Sequence, residues 1–165
     1  MAASPITVRL TRSHEDAYLK KWLSEPLTLR WFPMSDEREI DDAVRFYMIF
    51  AAMGACLTAE WHGIPCGMAN LYISSFKKLS HQCLFSIIVG DEYRNKGVGS
   101  VLLDELEKLA KEKFQIEFLH LEVYDGNPAY RLYQRKGFVE YGKQPRFINE
   151  DGVFIDKILM QKKIV

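Results

Sequence analysis

The run Cys83–Val89, CLFSIIV, is apolar at nearly every position, so the strand it forms has both faces buried and suits the centre of a sheet. The polar loop Gly90–Lys96 follows it, and then Gly97–Phe114 carries apolar residues at 98, 102, 106, 109 and 110. With Asp104, Glu105, Lys108, Lys111 and Glu112 on the opposite side, that spacing predicts an amphipathic helix. A buried strand running through a loop into a helix belongs to a layered α/β domain.

The flanking segments extend the pattern. Ile6–Leu10 alternates as a short strand. Ser13 is placed to cap a helix that runs to about Leu23 and buries Tyr18, Leu19, Trp22 and Leu23. Leu27–Met34, broken by Pro33, reads as an irregular connector. Ser35 then caps a second helix, with Ile40, Val44, Tyr47 and Met48 on its apolar face and Gly54 as its stop. Ala55–Trp61 and Pro65–Ser74 form a hairpin about His62-Gly63. Ile116–Val123 is a further strand, Ala129–Lys136 a short helix ended by Gly137, and Phe138–Tyr141 and Val153–Met160 two closing strands. The order is β-α-α-β-β-β-α-β-α-β-β, a mixed α/β layer fold of seven strands and four helices.

At 165 residues, residues 1–165 are expected to form a single domain. Lys+Arg and Asp+Glu are 22 each, a formal charge of zero, which argues against nucleic acid as a partner because phosphate binding needs a basic stripe. Cys56, Cys66 and Cys83 are widely spaced in apolar surroundings and read as reduced core thiols. No histidine or cysteine spacing predicts a metal. The opening MAASPITVRL does not read as a secretory leader, and no run is long enough for a membrane helix. A cytoplasmic protein with no membrane partner is the expectation, with a homodimer left open.

Function is most legible in Ile87–Gly99, IIVGDEYRNKGVG. Glycines at the start of a helix let a phosphate oxygen approach unpaired N–H groups at the positive end of the dipole. Two glycines alone are explained as well by a loop that needs positive φ. The stretch is neither a P-loop nor a dinucleotide fingerprint, because no Lys-Ser/Thr pair follows and Leu102 stands where a third glycine belongs. A second cluster lies about 30 residues on: Glu122 near the end of its strand, then Asn127, Pro128, Ala129 and the helix YRLYQRKGF.

Together these clusters resemble the GNAT family of acetyl-CoA-dependent N-acetyltransferases. Arg94, Gly97 and Gly99 match its pyrophosphate loop, and Asn127, Ala129, Leu132, Tyr133, Gly137 and Phe138 match its second motif, with Asn127 one residue closer to the tyrosine than usual. The front of the chain is similar, more loosely, to the branch that acetylates ribosomal-protein N-termini and aminoglycosides. The resemblance implies a mixed, mostly antiparallel sheet of about seven strands with about four helices and a V-shaped cleft between central strands.

It also implies acetyl-CoA as co-substrate, an amine acceptor, either a small molecule or a protein N-terminus, and no metal. Pantetheine would add along Ile87, Ile88 and Val89 as an extra strand. Pyrophosphate would sit on the loop formed by Arg94, Asn95, Lys96, Gly97, Val98, Gly99 and Ser100, with Asn127 and Ala129 across the cleft. Tyr133 takes the role of general acid toward the leaving thiolate, and Glu122 that of base. His81 and His120 are weaker candidates for the base. Trp31 and Phe32 are expected to wall the acceptor site. The alternative on the same fold is an acyl-CoA sensor without turnover.

Overall fold

The computed structural model describes residues 4–165. In chain order its elements are β1 (Ile6–Leu10), α1 (Asp16–Ser24), α2 (Pro26–Leu29), α3 (Glu37–Ala52), β2 (Cys56–Trp61), β3 (Ile64–Tyr72) and β4 (Gln82–Val89). They continue with α4 (Val98–Phe114), β5 (Phe118–Tyr124), α5 (Ala129–Arg135), β6 (Val139–Glu150) and β7 (Val153–Lys163). The strands form one seven-stranded sheet in the order β1-β2-β3-β4-β5-β7-β6. The pairs are antiparallel except β4 with β5, which run parallel. The apolar strand expected at the centre is the fourth of seven.

Two apolar clusters cover the two faces. On one, Leu102, Leu103, Leu106 and Ala110 of α4 pack on Ala69, Leu71, Phe85 and Leu119. On the other, Leu19, Trp22 and Leu23 of α1 and Ile40, Val44 and Tyr47 of α3 pack on Met68 and Ile88. Cys83 and Phe85 of β4 belong to the first cluster, with Ile87 and Val89 packed against it, and Ile88 to the second, so β4 is apolar toward both faces. All three cysteines are buried and free. Burial raises the thiols of Cys56 and Cys83 to about 12 and that of Cys66 to about 11.

Several local expectations are corrected. Ser13 does not cap α1; the turn before the helix is held by Glu15, which accepts from the Arg12 N–H at 2.7 Å, from Thr58 Oγ1 at 3.0 Å and from Arg9 Nη2 at 2.5 Å. Burial works to raise that carboxyl's pKa, and these bonds outweigh it and hold it low. Tyr18 is exposed rather than core. Asp36, not Ser35, caps α3 by accepting from the Glu39 N–H at 2.8 Å, while the Glu39 carboxylate reaches back to the Ser35 N–H at 2.6 Å, a reciprocal box. Phe50 is buried on the apolar face of α3, where Met48 is only half-buried. The Leu27–Met34 connector is helical over Pro26–Leu29 and buries Thr28. The closing strands are longer than expected and join at Asp151-Gly152, both at positive φ.

Candidate active site

The ladder between β4 and β5 consists of three pairs, Gln82↔Phe118, Cys83↔Leu119 and Leu84↔His120. Beyond them the strands part, while β4 stays bonded to β3 as far as Gly67↔Val89. The right-handed twist and the short parallel register leave Ser86–Val89 with a free backbone edge facing β5. A cavity of about 320 Å³ fills the gap. Its walls include Ile87, Ile88 and Val89, the loop at Arg94, Asn95, Gly97, Val98, Gly99 and Ser100, and Glu122, Asn127, Ala129 and Tyr133. Trp31 and Phe32 close one side. One set of parting strands thus gathers every expected site residue except Lys96 and the weaker base candidates His81 and His120.

Lys96 turns away. Its ammonium lies over the rings of Trp61 and Tyr93, 5.3 and 5.6 Å from their centroids. Its backbone still belongs to the loop. From Asn95 to Ser100, six successive N–H groups find no hydrogen-bond acceptor among the described residues. Asn95 at φ 58° and Gly97 at φ 84° are left-handed, which gathers the amides into a concave turn at the head of α4. A Cβ at Gly97 would meet nothing within 4 Å, so the space above that residue is open. Gly99 has a different role: a Cβ there would come within 3.2 Å of Leu132 Cδ2, so its glycine seats α4 against α5.

The Arg94 side chain is engaged within the protein. Its Nη2 donates to Thr28 Oγ1 at 2.8 Å and its Nε lies 3.2 Å from Asp91 Oδ1. Thr28 Oγ1 in turn donates to Asp91 Oδ1 at 2.9 Å, and the Asp91 N–H to Glu25 Oε2 at 2.9 Å. These bonds lash the loop to α2, the turn that precedes Trp31 and Phe32. Sequence reasoning missed Thr28, Asp91 and Glu25, because the partners stand more than 60 residues apart.

Across the cleft, Asn127 Oδ1 accepts from the Ala129 N–H at 3.0 Å and starts α5, leaving its amide nitrogen unbonded. Tyr133 packs edge-on to Phe85 and against Phe138, and no hydrogen bond to its hydroxyl is found among the described residues. Burial raises its phenol to about 12. Glu122 Oε2 accepts from Lys157 Nζ at 3.0 Å, and Oε1 has no protein partner. His120 lies on β5 but lines a separate shallow pocket with His81, where its Nε2 is 2.5 Å from Gln82 Oε1. Burial lowers its pKa, against the opposing charge of Glu122. Among the described residues no group of three or more His, Cys, Asp and Glu is arranged to hold a metal ion.

Comparison with known proteins gives this geometry a lineage. The model of the Acetyltransferase (GNAT) family matches residues 10–138. An L-amino acid N-acetyltransferase of Escherichia coli is 25% identical over 107 residues, 64% of this chain and 66% of its own length. An N-alpha-acetyltransferase of Sulfurisphaera tokodaii is 38% identical over 83 residues, 49% of this chain and 46% of its own. The chain therefore spans less than two thirds of the length of these curated relatives. The Salmonella typhimurium protein yncA, solved with its cofactor acetyl-CoA, superposes with a TM-score of 0.83 at 21% identity over 98% of this chain and 95% of that one, a likeness of fold.

Proposed function

Because this chain belongs to the GNAT family of acetyltransferases, we propose that it moves an acetyl group from acetyl-CoA to a primary amine, by direct attack within a ternary complex. The observation that carries the reading is the row of six unbonded amides, Asn95–Ser100, at the mouth of the cleft between β4 and β5. Amides held without an acceptor at a helix N-terminus suit an anion with several oxygens, as a pyrophosphate has. The free edge of Ile87–Val89 suits an extended arm with its own amides. Both fit acetyl-CoA, and the two curated relatives named as N-acetyltransferases point the same way.

When bound, acetyl-CoA supplies the activated thioester carbon to which the amine adds. The residues of this chain then have two proton tasks. The amine must be neutral to attack: for an α-amine with a pKa of about 7.7–8.0 that costs about 1 kcal/mol, for a lysine-type amine near 10.4 about 4 kcal/mol. Glu122 Oε1, unbonded on the cavity wall, is placed to accept the amine's proton. Tyr133, with its hydroxyl unbonded, is the donor to the leaving thiolate. A phenol at about 12 does not hand its proton fully to a thiolate, so its contribution is a hydrogen bond donated from the cavity wall. Asn127, Ala129 and the loop residues hold the cofactor; Trp31 and Phe32 wall the acceptor.

Weak demand for a base suits α-amines, free amino acids or peptide N-termini, as acceptors. Buried reduced thiols suit a cytoplasmic setting. No helix among the described residues is long and apolar enough to cross a membrane. Two measurements test the reading. Acetyl-CoA at 100 times its dissociation constant should stabilise the protein by about 2.7 kcal/mol in a thermal shift. Thiol release should then require a primary amine. No shift would overturn the reading; a shift without amine-dependent release would identify a sensor.

A further inference from the structure

Lys157 is the only buried lysine or arginine among the described residues, 7% exposed, on β7, the strand bonded to the far edge of β5. It pairs across the ladders with Tyr124 on β5 and Gln144 on β6. Its ammonium lies 3.7 Å from the centroid of the Phe147 ring and makes one hydrogen bond, to Glu122 Oε2. Only the lysine end of the pair is buried, and with its carboxylate partner exposed to solvent the pair adds little to stability. What the arrangement does is divide the two oxygens of Glu122. One accepts from an ammonium that also lies against the Phe147 ring; the other is left unbonded on the cavity wall, where the Glu122 side chain is 43% exposed.

We infer that Lys157 is the positioning residue of the acceptor site: through Glu122 Oε2 it fixes the carboxylate so that Oε1 meets the incoming amine. This rests on the acetyl-transfer reading above. It also narrows the acceptor, because a carboxylate already shared with an ammonium orients a weakly basic α-amine better than it strips a proton from a strongly basic one. The other titratable or charged groups around Glu122 are His120 and Tyr124 on its own strand and Arg135 of α5 on the cavity wall, and none of them bonds it. The neighbouring strand β4 presents Ser86 there, which does not titrate.

The test is a double-mutant cycle on full-length protein with an α-amine acceptor, reading thiol release and, separately, acetyl-CoA binding by thermal shift. Lys157→Met should lower acceptor kcat/KM by about tenfold or more, the cost of a misplaced group, with acetyl-CoA binding unchanged. Lys157→Arg should recover most of that loss, since it restores a cation at Oε2. In a Glu122→Gln background the added Lys157→Met change should cost less than about twofold, because coupled residues are not additive. Additive losses, or equal damage to acetyl-CoA binding, would overturn the positioning role. If Lys157→Met melts early, Lys157→Arg decides: a folded Arg variant no more active than the Met variant overturns it as well. Absence of thiol release from the wild type with every amine would instead remove the acetyl-transfer reading itself, and the role of Lys157 with it.

Discussion

Replacing Tyr133 by phenylalanine separates chemistry from packing at the centre of the proposed site. The ring contributes to the core beside Phe85 and Phe138, and phenylalanine keeps those contacts. The hydroxyl has no protein hydrogen bond to lose, so the fold should not weaken. In the reaction the same hydroxyl would meet a thiolate. With the phenol near 12 and a thiol near 8.5, full proton transfer is uphill by about 5 kcal/mol. The realistic contribution is one hydrogen bond to a charged sulfur, about 1.5–3 kcal/mol. Tyr133→Phe should therefore reduce kcat by about 10²-fold, with kcat/KM falling in parallel. Acetyl-CoA affinity should stay within about threefold, since the interaction forms only as the bond breaks. The assay is steady-state thiol release normalised to folded protein, with acetyl-CoA affinity from thermal shift. A lowered melting temperature with normal turnover per folded molecule would refute the reasoning and leave Tyr133 as a core aromatic.

Other perturbations give distinct outcomes. Gly97→Glu should abolish acetyl-CoA stabilisation by placing a carboxylate over the free amides, and it adds left-handed backbone strain of about 1–2 kcal/mol; tight binding by this variant would make the loop purely structural. Trp31→Ala should raise the acceptor KM and leave acetyl-CoA affinity unchanged, measured by varying each substrate in turn; equal damage to both would place Trp31 outside the acceptor wall. Stability should fall as pH rises from about 9 toward 12. The thiols of Cys56 and Cys83 ionise near 9.0 when unfolded but near 12 when folded, so the unfolded state releases protons first and each thiol costs about 1.4 kcal/mol per pH unit in that window. Urea melts at pH 8 and 10 check this, and Cys83→Ala should flatten the loss.

What the sequence made legible was what is local. The apolar run of β4, the amphipathic repeat of α4 and the glycines between them announce a central strand, a helix and an anion-ready turn, because strand and helix periodicities are written in neighbouring residues. Long-range pairing was not legible. Nothing near Arg94 indicates that its guanidinium is bound to Thr28, or that Gly99 is there to admit Leu132. Gln144–Glu150 falls outside the expected strands Phe138–Tyr141 and Val153–Met160, yet it belongs to β6, the outermost strand, where Pro145 sits in a break of the register between Gln144 and Ile148 and takes no place in the ladder. The lysine in VFIDKILM could have drawn notice, as one of two adjacent charges with Asp156 in an otherwise apolar stretch, but its partner Glu122 lies 35 residues away.

The central claim is direct transfer of an acetyl group to an amine, and a single-turnover experiment tests it most directly. Protein and equimolar acetyl-CoA are mixed with an excess of an α-amine, quenched over time, and the thiol, the amine and the intact protein are followed by mass spectrometry. The account predicts that the acetylated amine appears at the rate at which thiol is released, with no acetyl group on the protein at any time. Acetyl-protein that forms and decays, or thiol released without acetylated amine, would contradict it.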